Sequence, residues 1–296
     1  MKKIAIIGGT GLLGSNLVKL FSDYDVKAFS RVSSSNIDSR KNNIISFSNI
    51  SNELSIYFNN WIPDIIINTI ANVNLQECEK DYDKAYFVNC TIAIEIAKIS
   101  QKYNSYFIHV STDHYYNDIY QTHNENFPIT LLNNYAKTKY EAEKEIIKYN
   151  TKYLIVRTNI IGFRENTTKS FFEWLLYALK DNEIINLYTN FSTSPISVNQ
   201  LGKILLKCYQ KNLIGTYNIA SKEVIDKYSF GVKTANKFGY NINNINKSLL
   251  ENNSYLLRAL SLGLDISKIE KDLKINMPTI DETLDSLYKE YKKNHE

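Results

Sequence analysis

The sequence has few cysteines. Its 296 residues include only three, Cys78, Cys90 and Cys208, and none of them belongs to a CxxC pair. An odd number of widely spaced cysteines argues against a disulfide framework and against a zinc site built on cysteine pairs. We therefore expect a cytoplasmic protein.

Long apolar runs and a strong charge of one sign are also missing. Lys2 and Lys3 precede an apolar stretch, but glycines interrupt that stretch too early for a signal peptide. No run approaches the length of a transmembrane helix. A net charge of +4 gives no reason to expect nucleic acid or a membrane as a partner. The length allows one large domain or two coupled ones.

The first half of the chain alternates short apolar runs with segments of helical periodicity. We predict strands at residues 4–7, 26–30, 44–47, 65–68, 106–110 and 154–157, with helices at 12–21, 52–60, 85–101 and 135–148 between them. The strand runs are continuously apolar, as expected of strands covered on both faces. This order predicts an α/β fold with a doubly wound parallel sheet of the Rossmann type.

The pattern loosens after about residue 160, which suggests a second, smaller lobe. We predict a dinucleotide-binding domain with the catalytic residues at 1–160 and a substrate-binding lobe at 161–296. Segments within about 184–220 are expected to rejoin the sheet, since residues 215–220 again have the pattern of a strand.

A glycine-rich turn follows the first predicted strand, in the stretch IAIIGGTGLLGSNLV at residues 4–18. Gly8 suits the tight turn, Gly11 allows a pyrophosphate to approach the backbone, and Gly14 allows close packing of helix and strand. The start of the helix supplies unpaired N–H groups for phosphate. The predicted dinucleotide site comprises Gly8, Thr10, Gly11, Leu12, Leu13 and Gly14.

The next strands add further candidate cofactor residues. The second ends in AFSRVSSS, where Arg31 with Ser30 and Ser33 offers a cation and hydroxyls in place of an acidic residue. That set suits the 2′-phosphate of NADP, and NAD is the alternative cofactor. Arg31 could instead be a solvated surface arginine without a role in binding. Asn68 and Ala71, in NTIAN, are expected beside the cofactor's ribose and nicotinamide.

The candidate catalytic residues follow the fifth strand. Thr112 ends HVSTD, and Tyr135 and Lys139 lie four residues apart at the start of a predicted helix in NNYAKTKYEAEKEI. They therefore share one face of that helix. A nearby ammonium lowers the pKa of a phenol, so Tyr135 becomes a proton donor for an alkoxide formed by hydride transfer. The following run EAEKEIIK, at 141–148, predicts an ordinary exposed helix face.

At this point the chain resembles the extended short-chain dehydrogenase/reductase family, in particular its dTDP-4-dehydrorhamnose reductase branch. The resemblance is carried by VSTDHYYND, NNYAKTKYEAE, RTNIIG and LDISKIEKDL. It implies that Thr112, Tyr135 and Lys139 form a catalytic triad, that Lys139 also holds the nicotinamide ribose, and that Asn89 helps to organise the site. It further implies reduction of a nucleotide-linked 4-keto-6-deoxy sugar for a surface polysaccharide.

The substrate residues implied by the resemblance are less regular. The branch usually has STDYVFDG where this chain has STDHYYND, so that His114 replaces an aromatic residue. The candidates are Asp113, His114, Asn89, Arg157, Pro195 and Arg258, the arginines as partners for a diphosphate. A homodimer is one possible oligomeric state.

Two alternative functions stay open. An NDP-sugar 4-epimerase or epimerase-reductase on the same scaffold either retains NAD tightly or needs an additional acid–base residue near C3 or C5, for which Cys78, His114 and His123 are the candidates. A non-catalytic dinucleotide-binding regulatory subunit does not need Thr112, Tyr135 and Lys139 together. No metal is expected, because the histidines lack carboxylates or cysteines at ligand spacing. His109 lies inside an apolar strand, where we expect a core histidine with one hydrogen-bond partner.

Overall fold

The elements of the fold are described from a computed structural model for residues 1–32, 41–118, 121–164, 169–252 and 255–295. The strands are β1 Lys3–Ile7, β2 Asp25–Ser30, β3 Asn42–Ile44, β4 Ile65–Asn68, β5 Tyr106–Val110, β6 Tyr153–Arg157, β7 Asn159–Ile161, β8 Ile185–Tyr188, β9 Ser192–Thr193, β10 Pro195–Ser197, β11 Gly215–Asn218, β12 Ile225–Asp226, β13 Ile245–Ser248 and β14 Ser261–Leu262.

Helices connect these strands. They are α1 Leu12–Leu20, α2 Ile50–Phe58, α3 Leu75–Lys80, α4 Tyr82–Tyr86, α5 Ile92–Lys102, α6 Asn134–Tyr149, α7 Phe171–Lys180, α8 Val198–Gln210, α9 Lys227–Phe238, α10 Ser267–Leu273 and α11 Ile280–His295. A 3₁₀ turn at Phe47–Asn49 precedes α2, and a π turn at Phe87–Thr91 joins α4 to α5. Within the described ranges, no helix is long and apolar enough to cross a membrane.

A seven-stranded sheet, ordered β11–β6–β5–β4–β1–β2–β3, carries the candidate site. The strands β1 to β6 pair in parallel. Ile4, Ile6 and Ile7 in β1 have no exposed surface, because helices cover both faces of the sheet. The predicted doubly wound α/β fold is confirmed. The register places Asn68, the last residue of β4, directly beside His109 in β5.

The chain forms two compact units that interleave along the sequence. The first, called the sheet unit, comprises residues 1–112, 131–157 and 205–217, and the second unit comprises 113–130, 158–204 and 218–296. The units are thus not separated by a single cut near residue 160. Of the segments within 184–220, β11 joins the large sheet, whereas β8 pairs with β13 and β10 with β7.

The second unit has its own apolar core. Residues of α7, α9 and α11 pack around β8 and β13, with Phe172, Leu175, Leu187, Phe230 and Leu284 among the buried side chains. A small sheet of order β12–β9–β14 lies in the same unit. Because the strands of this unit have only two to four residues, helix packing supplies most of its core.

Candidate functional site

The turn after β1 has the geometry predicted from its glycines. Gly8 has a φ of +96°, a conformation that side chains with a Cβ rarely adopt. A Cβ added to Gly14 would lie 2.2 Å from the carbonyl oxygen of Gly8. The turn and the helix–strand packing therefore account for these two glycines without any ligand.

Gly11 differs from them. The nearest atom to an added Cβ there is the Gly8 oxygen, at 3.4 Å, which is an ordinary contact. Gly11 precedes α1, no side chain caps this helix, and no acidic residue stands in its first turn. The partial positive charge of the helix start is thus left for another anion. The protein's own packing does not explain this glycine.

A cleft of about 370 Å³ opens beside this turn within the sheet unit. It brings together the glycine turn, the end of β2 and the loop after β4; its lining includes Gly8, Thr10, Gly11, Ser30, Arg31, Val32, Phe47, Thr69, Ile70, Ala71, Phe87, Val88 and Ile92. Arg31 is exposed and its guanidinium lies 5.5 Å from the centre of the Phe47 ring. Ser33 lies outside the described residues. The apolar lining from Phe47, Phe87 and Ile92 was not predicted, since these residues are distant in sequence.

Some predicted cofactor residues lie outside the lining, among them Leu12, Leu13, Gly14 and Asn68. Leu13 is buried in the sheet unit, and Asn68 is almost fully buried. The Asn68 side chain accepts a hydrogen bond from the Ile70 N–H at 3.0 Å. Asn68 therefore shapes the loop that lines the cleft.

Helix α6 positions the candidate proton donor. Asn133 caps it by accepting a hydrogen bond from the Ala136 N–H at 2.9 Å. Tyr135, Lys139 and Glu143 follow at intervals of four residues on its buried face. The Tyr135 ring packs with Cys78, Ala85 and Leu75 and keeps 7% of its surface exposed. Thr112, the last residue of the sheet unit's first segment, is also buried.

Lys139 is a buried amine. Its side chain is 1% exposed. Its Nζ donates to the Val110 carbonyl oxygen at 2.8 Å and lies 3.2 Å from His109 Nε2. Burial lowers the pKa of Lys139 to about 8, although the Glu143 carboxylate acts in the opposite direction.

His109 makes two polar contacts, so the expectation of a single partner is wrong. Its Nδ1 lies 3.1 Å from Asn68 Nδ2, and its Nε2 faces Lys139. Burial and the Lys139 charge lower the pKa of His109 well below its usual range. The imidazole is therefore neutral. The sequence offered no signal for this, because the contacts depend on strand register.

Asn89 ties α6 to the loop after β4. It lies in the π turn, a geometry often found at functional sites. Its Nδ2 donates to Thr138 Oγ1 at 3.0 Å and to the Asn72 oxygen at 3.2 Å, while its Oδ1 accepts from the Asn72 N–H at 2.7 Å. Because Thr138 lies between Tyr135 and Lys139, this arrangement fixes the helix turn that carries both.

The Arg157 side chain is buried in the sheet unit, where it forms an ion pair with Glu143. The prediction that it binds the substrate's diphosphate is therefore corrected. Its guanidinium donates from Nε and Nη2 to Glu143, with a shortest distance of 2.7 Å, and both side chains are buried. Ser111 Oγ also donates to Glu143. The expectation of an exposed face over 141–148 is wrong at Glu143. Its four-residue spacing from Lys139 was the available signal.

The second unit holds the other candidate substrate residues. Asp113 is buried and accepts a hydrogen bond from Asn159 Nδ2 at 2.9 Å. Burial, Lys227 and Arg258 lower the pKa of His114 to about 4, which leaves His114 neutral. Arg258 is half-buried, with its backbone held by Asn252. Pro195 is buried in β10 and serves packing.

Lys227 is a cation that the sequence did not single out. Its Nζ lies 4.2 Å from the centre of the Phe171 ring and 5.4 Å from that of Phe191. Burial lowers its pKa to about 8, against the attraction of Asp113. A cation held by aromatic rings beside a buried carboxylate suits binding of a polar ligand. Among 35 lysines and arginines, nothing in its local sequence marked it.

The three residues considered for an additional acid–base role are poorly suited to it. Burial raises the pKa of Cys78 to about 11. His123 is stacked on Tyr116 with ring centres 4.2 Å apart, and its nitrogens contact the Gly263 oxygen and Asp118. His114 has the low pKa described above. These environments weaken the form of the epimerase alternative that needs an additional acid–base residue.

The sequence of this chain is similar to those of known proteins. The family described as RmlD substrate binding domain matches residues 1–293. A probable low-salt glycan biosynthesis reductase, Agl14, of Haloferax volcanii is 25% identical over 76% of either chain. A dTDP-4-dehydrorhamnose reductase of Aggregatibacter actinomycetemcomitans is 26% identical over 78% of either chain.

Among solved structures, the dTDP-4-dehydrorhamnose reductase of Bacillus anthracis in complex with NADP has a TM-score of 0.86 at 23% identity. The match covers 98% of this chain and 100% of that one. The predicted enzyme class, an oxidoreductase, is confirmed by these reductases. Because the family match spans nearly the whole sequence, the chain belongs to the RmlD substrate-binding domain family, within the extended short-chain dehydrogenases/reductases.

Proposed function

We propose that the chain is an NADPH-dependent reductase of a nucleotide-linked 4-keto-6-deoxy sugar, active in the cytoplasm in deoxysugar or polysaccharide biosynthesis. The observation that supports dinucleotide binding is the environment of Gly11. Its position tolerates a Cβ within the protein, yet it stands at an uncapped helix start that suits a pyrophosphate. The relatives with reductase names support the sugar part.

The preference for NADPH rests on Arg31. This residue lines the cleft beside the glycine turn, and it is a cation where NAD-specific relatives of this fold place an acidic residue. A guanidinium pairs well with the 2′-phosphate through charge-assisted hydrogen bonds. NAD remains a slower alternative cofactor in the proposal.

The chemistry assigns one task to each catalytic residue. The nicotinamide, when bound, supplies a hydride to C4 of the sugar. Tyr135 donates its phenolic proton to the oxygen that becomes the new hydroxyl, and Thr112 holds that oxygen by a hydrogen bond. Lys139, when charged, stabilises the phenolate left on Tyr135. Asn89 keeps the α6 turn with Tyr135 and Lys139 in place.

The substrate side of the proposal uses the second unit. In this unit the charges of Lys227 and Arg258 act on the neutral His114. The Asp113 carboxylate acts in turn on Lys227. We assign Lys227 and Arg258, rather than Arg157, to the substrate's diphosphate. Asp113 and His114 then offer an acceptor and a hydrogen-bonding ring for sugar hydroxyls.

The test is loss of NADPH absorbance with purified protein and a panel of nucleotide-linked 4-keto-6-deoxy sugars. Tyr135→Phe should lower kcat by about 10²–10⁴-fold with little change in NADPH binding. Tyr140→Phe, on the same helix but at a partly buried position outside the proposed site, is the matched control and should keep its activity. Equal activity of Tyr135→Phe and wild type would overturn the proposal. Light scattering on the same sample decides between monomer and homodimer.

A further inference from the structure

Three buried polar side chains form a line across the sheet unit, from β4 through β5 to α6. They are Asn68, His109 and Lys139, each with at most 1% of its surface exposed. Asn68 Nδ2 lies 3.1 Å from His109 Nδ1, and His109 Nε2 lies 3.2 Å from Lys139 Nζ. Because these side chains are almost fully buried, their polar atoms must find hydrogen-bond partners among one another and the neighbouring backbone.

The backbone fixes the orientation of the amide at one end of the line. The Ile70 N–H can only donate, and it contacts Asn68 Oδ1 at 3.0 Å. The oxygen of the amide must therefore face Ile70, which leaves the NH₂ group facing His109. If the amide were turned over, the NH₂ group would meet another donor.

The amide in turn selects the tautomer of His109. Since Asn68 Nδ2 donates to Nδ1, Nδ1 must carry a lone pair. A neutral imidazole has one proton, which then resides on Nε2. His109 consequently presents an N–H group, and not a lone pair, to Lys139.

An N–H group facing an ammonium is a contact between two donors, whereas a free amine accepts the hydrogen bond through its lone pair. We infer that His109 is a positioning residue whose Nε2–H donates to the amine of Lys139, so that this lysine is poised to release its proton. Lys139 still donates to the Val110 oxygen at 2.8 Å in either state.

Other groups near Lys139 affect the equilibrium between its ammonium and its free amine. Glu143, on α6, favours the ammonium, and so does Cys90 in the π turn to the extent that its thiol ionises. Burial raises the pKa of Cys90, so the thiol stays protonated at neutral pH. Glu143 is shared with Arg157 and Ser111, which offsets much of its charge. Burial outweighs these groups and lowers the pKa of Lys139 to about 8.

The catalytic meaning of this arrangement rests on the proposed function. After Tyr135 has given up its proton, the phenolate must be protonated again before the next turnover. A charged Lys139 can pass a proton to the phenolate, becoming the free amine while Tyr135 regains its hydroxyl, and solvent later restores the ammonium. The donor on His109 stabilises the amine formed in that step.

The first test is the ¹⁵N spectrum of the histidines in the cofactor-free protein, which has four histidines to assign. His109→Gln identifies the signals of residue 109. We expect a protonated Nε2 and a bare Nδ1 throughout the neutral pH range. A protonated Nδ1, or an imidazolium, would overturn the inference, and neither result depends on catalysis.

The second test uses Asn68→Asp, whose carboxylate can accept but not donate. His109 should move its proton to Nδ1 and offer its Nε2 lone pair to Lys139, which should raise the proton affinity of Lys139 at least about tenfold in a ¹³C-lysine titration. The control is Asn68→Asp with His109→Phe, which keeps the carboxylate and removes the imidazole. An equal rise in both variants would contradict a role for His109.

Activity separates this inference from the proposed function. If Tyr135→Phe stays active while the His109 tautomer is as expected, the reductase assignment fails and the hydrogen-bond assignment stands. If Tyr135→Phe loses activity but His109→Gln leaves the pH dependence of kcat unchanged, the role of His109 in proton release is excluded and the reductase assignment stands.

Discussion

The turn after β1 and the polar cluster at the ends of β4, β5 and β6 lie in one sheet unit but are built in opposite ways. In the turn, Gly8, Gly11 and Gly14 offer backbone and space. In the cluster, buried side chains satisfy one another, as in the contacts of Lys139 with His109 and of Glu143 with Arg157.

This difference teaches how each region depends on its surroundings. No side chain caps the start of α1, so a ligand can bind the first N–H groups of this helix. The cluster already has its partners, so a change at one member leaves another buried and unpaired. We therefore expect substitutions in the turn to affect mainly binding, and those in the cluster to affect stability and proton transfer.

The largest effect should come from breaking the buried ion pair. Glu143→Ala leaves the Arg157 guanidinium buried without its carboxylate, and we expect the free energy of unfolding to fall by about 3–5 kcal/mol. Glu145→Ala removes a surface pair with Lys148 from the same helix and should cost less than about 1 kcal/mol. Urea unfolding measures both, and similar losses would contradict the comparison.

This ion pair also shows what the sequence could not reveal. The glycine turn was predictable because strand, turn and helix start lie within 20 consecutive residues with a recognisable spacing. Tyr135 and Lys139 were predictable for the same reason. The partners of His109 and Arg157 come from other strands and from α6, so their pairing depends on register and on tertiary packing.

The next effect concerns the buried lysine and depends on pH. An ordinary lysine has a pKa of about 10.4, and burial lowers that of Lys139 to about 8. Between these pH values the unfolded chain binds more protons, so stability rises with pH in that window. Lys139→Met removes the buried charge, which should contribute a gain of about 1–3 kcal/mol to the free energy of unfolding at neutral pH. This gain is set against a cost that does not depend on pH, because the Val110 oxygen and His109 lose their partner.

That gain should shrink as the pH rises from about 8 towards 10, because the wild-type lysine is then uncharged in the folded state. Denaturant unfolding of both proteins at several pH values gives the difference directly. A gain that is constant across this range would show that the charge of Lys139 is not the cause.

A smaller effect on stability, but a clear one on binding, is expected at the turn. Gly11→Ala should change the free energy of unfolding by less than about 1 kcal/mol, because the added Cβ meets only one ordinary contact. It should weaken NADPH binding by about tenfold or more, since the methyl group occupies the space proposed for the pyrophosphate. Calorimetric titration measures the affinity.

Gly14→Ala sharpens the same prediction. Its Cβ would meet the backbone oxygen of Gly8 at 2.2 Å, so the protein itself must be strained. We expect a loss of stability of about 1–3 kcal/mol. If Gly11→Ala and Gly14→Ala lose stability equally, packing and not a ligand explains both glycines.

The smallest effect should be one of selectivity. Arg31→Ala removes an exposed cation from the lining of the cleft, and we expect the KM for NADPH to rise by about tenfold. The KM for NADH should change little, because NADH lacks the 2′-phosphate. Steady-state kinetics with either cofactor tests this, and equal changes in both constants would refute the assignment of Arg31.

The most direct test of the central claim is to follow the hydride. NADPH carrying deuterium at its transferable position is incubated with the protein and a nucleotide-linked 4-keto-6-deoxy sugar, and the product is analysed by mass spectrometry. A reductase gives a hydroxy sugar that contains deuterium at C4, in an amount matching the NADPH consumed. An isomerised sugar without deuterium, or saturable NADPH binding without any product from the whole panel, would contradict the account.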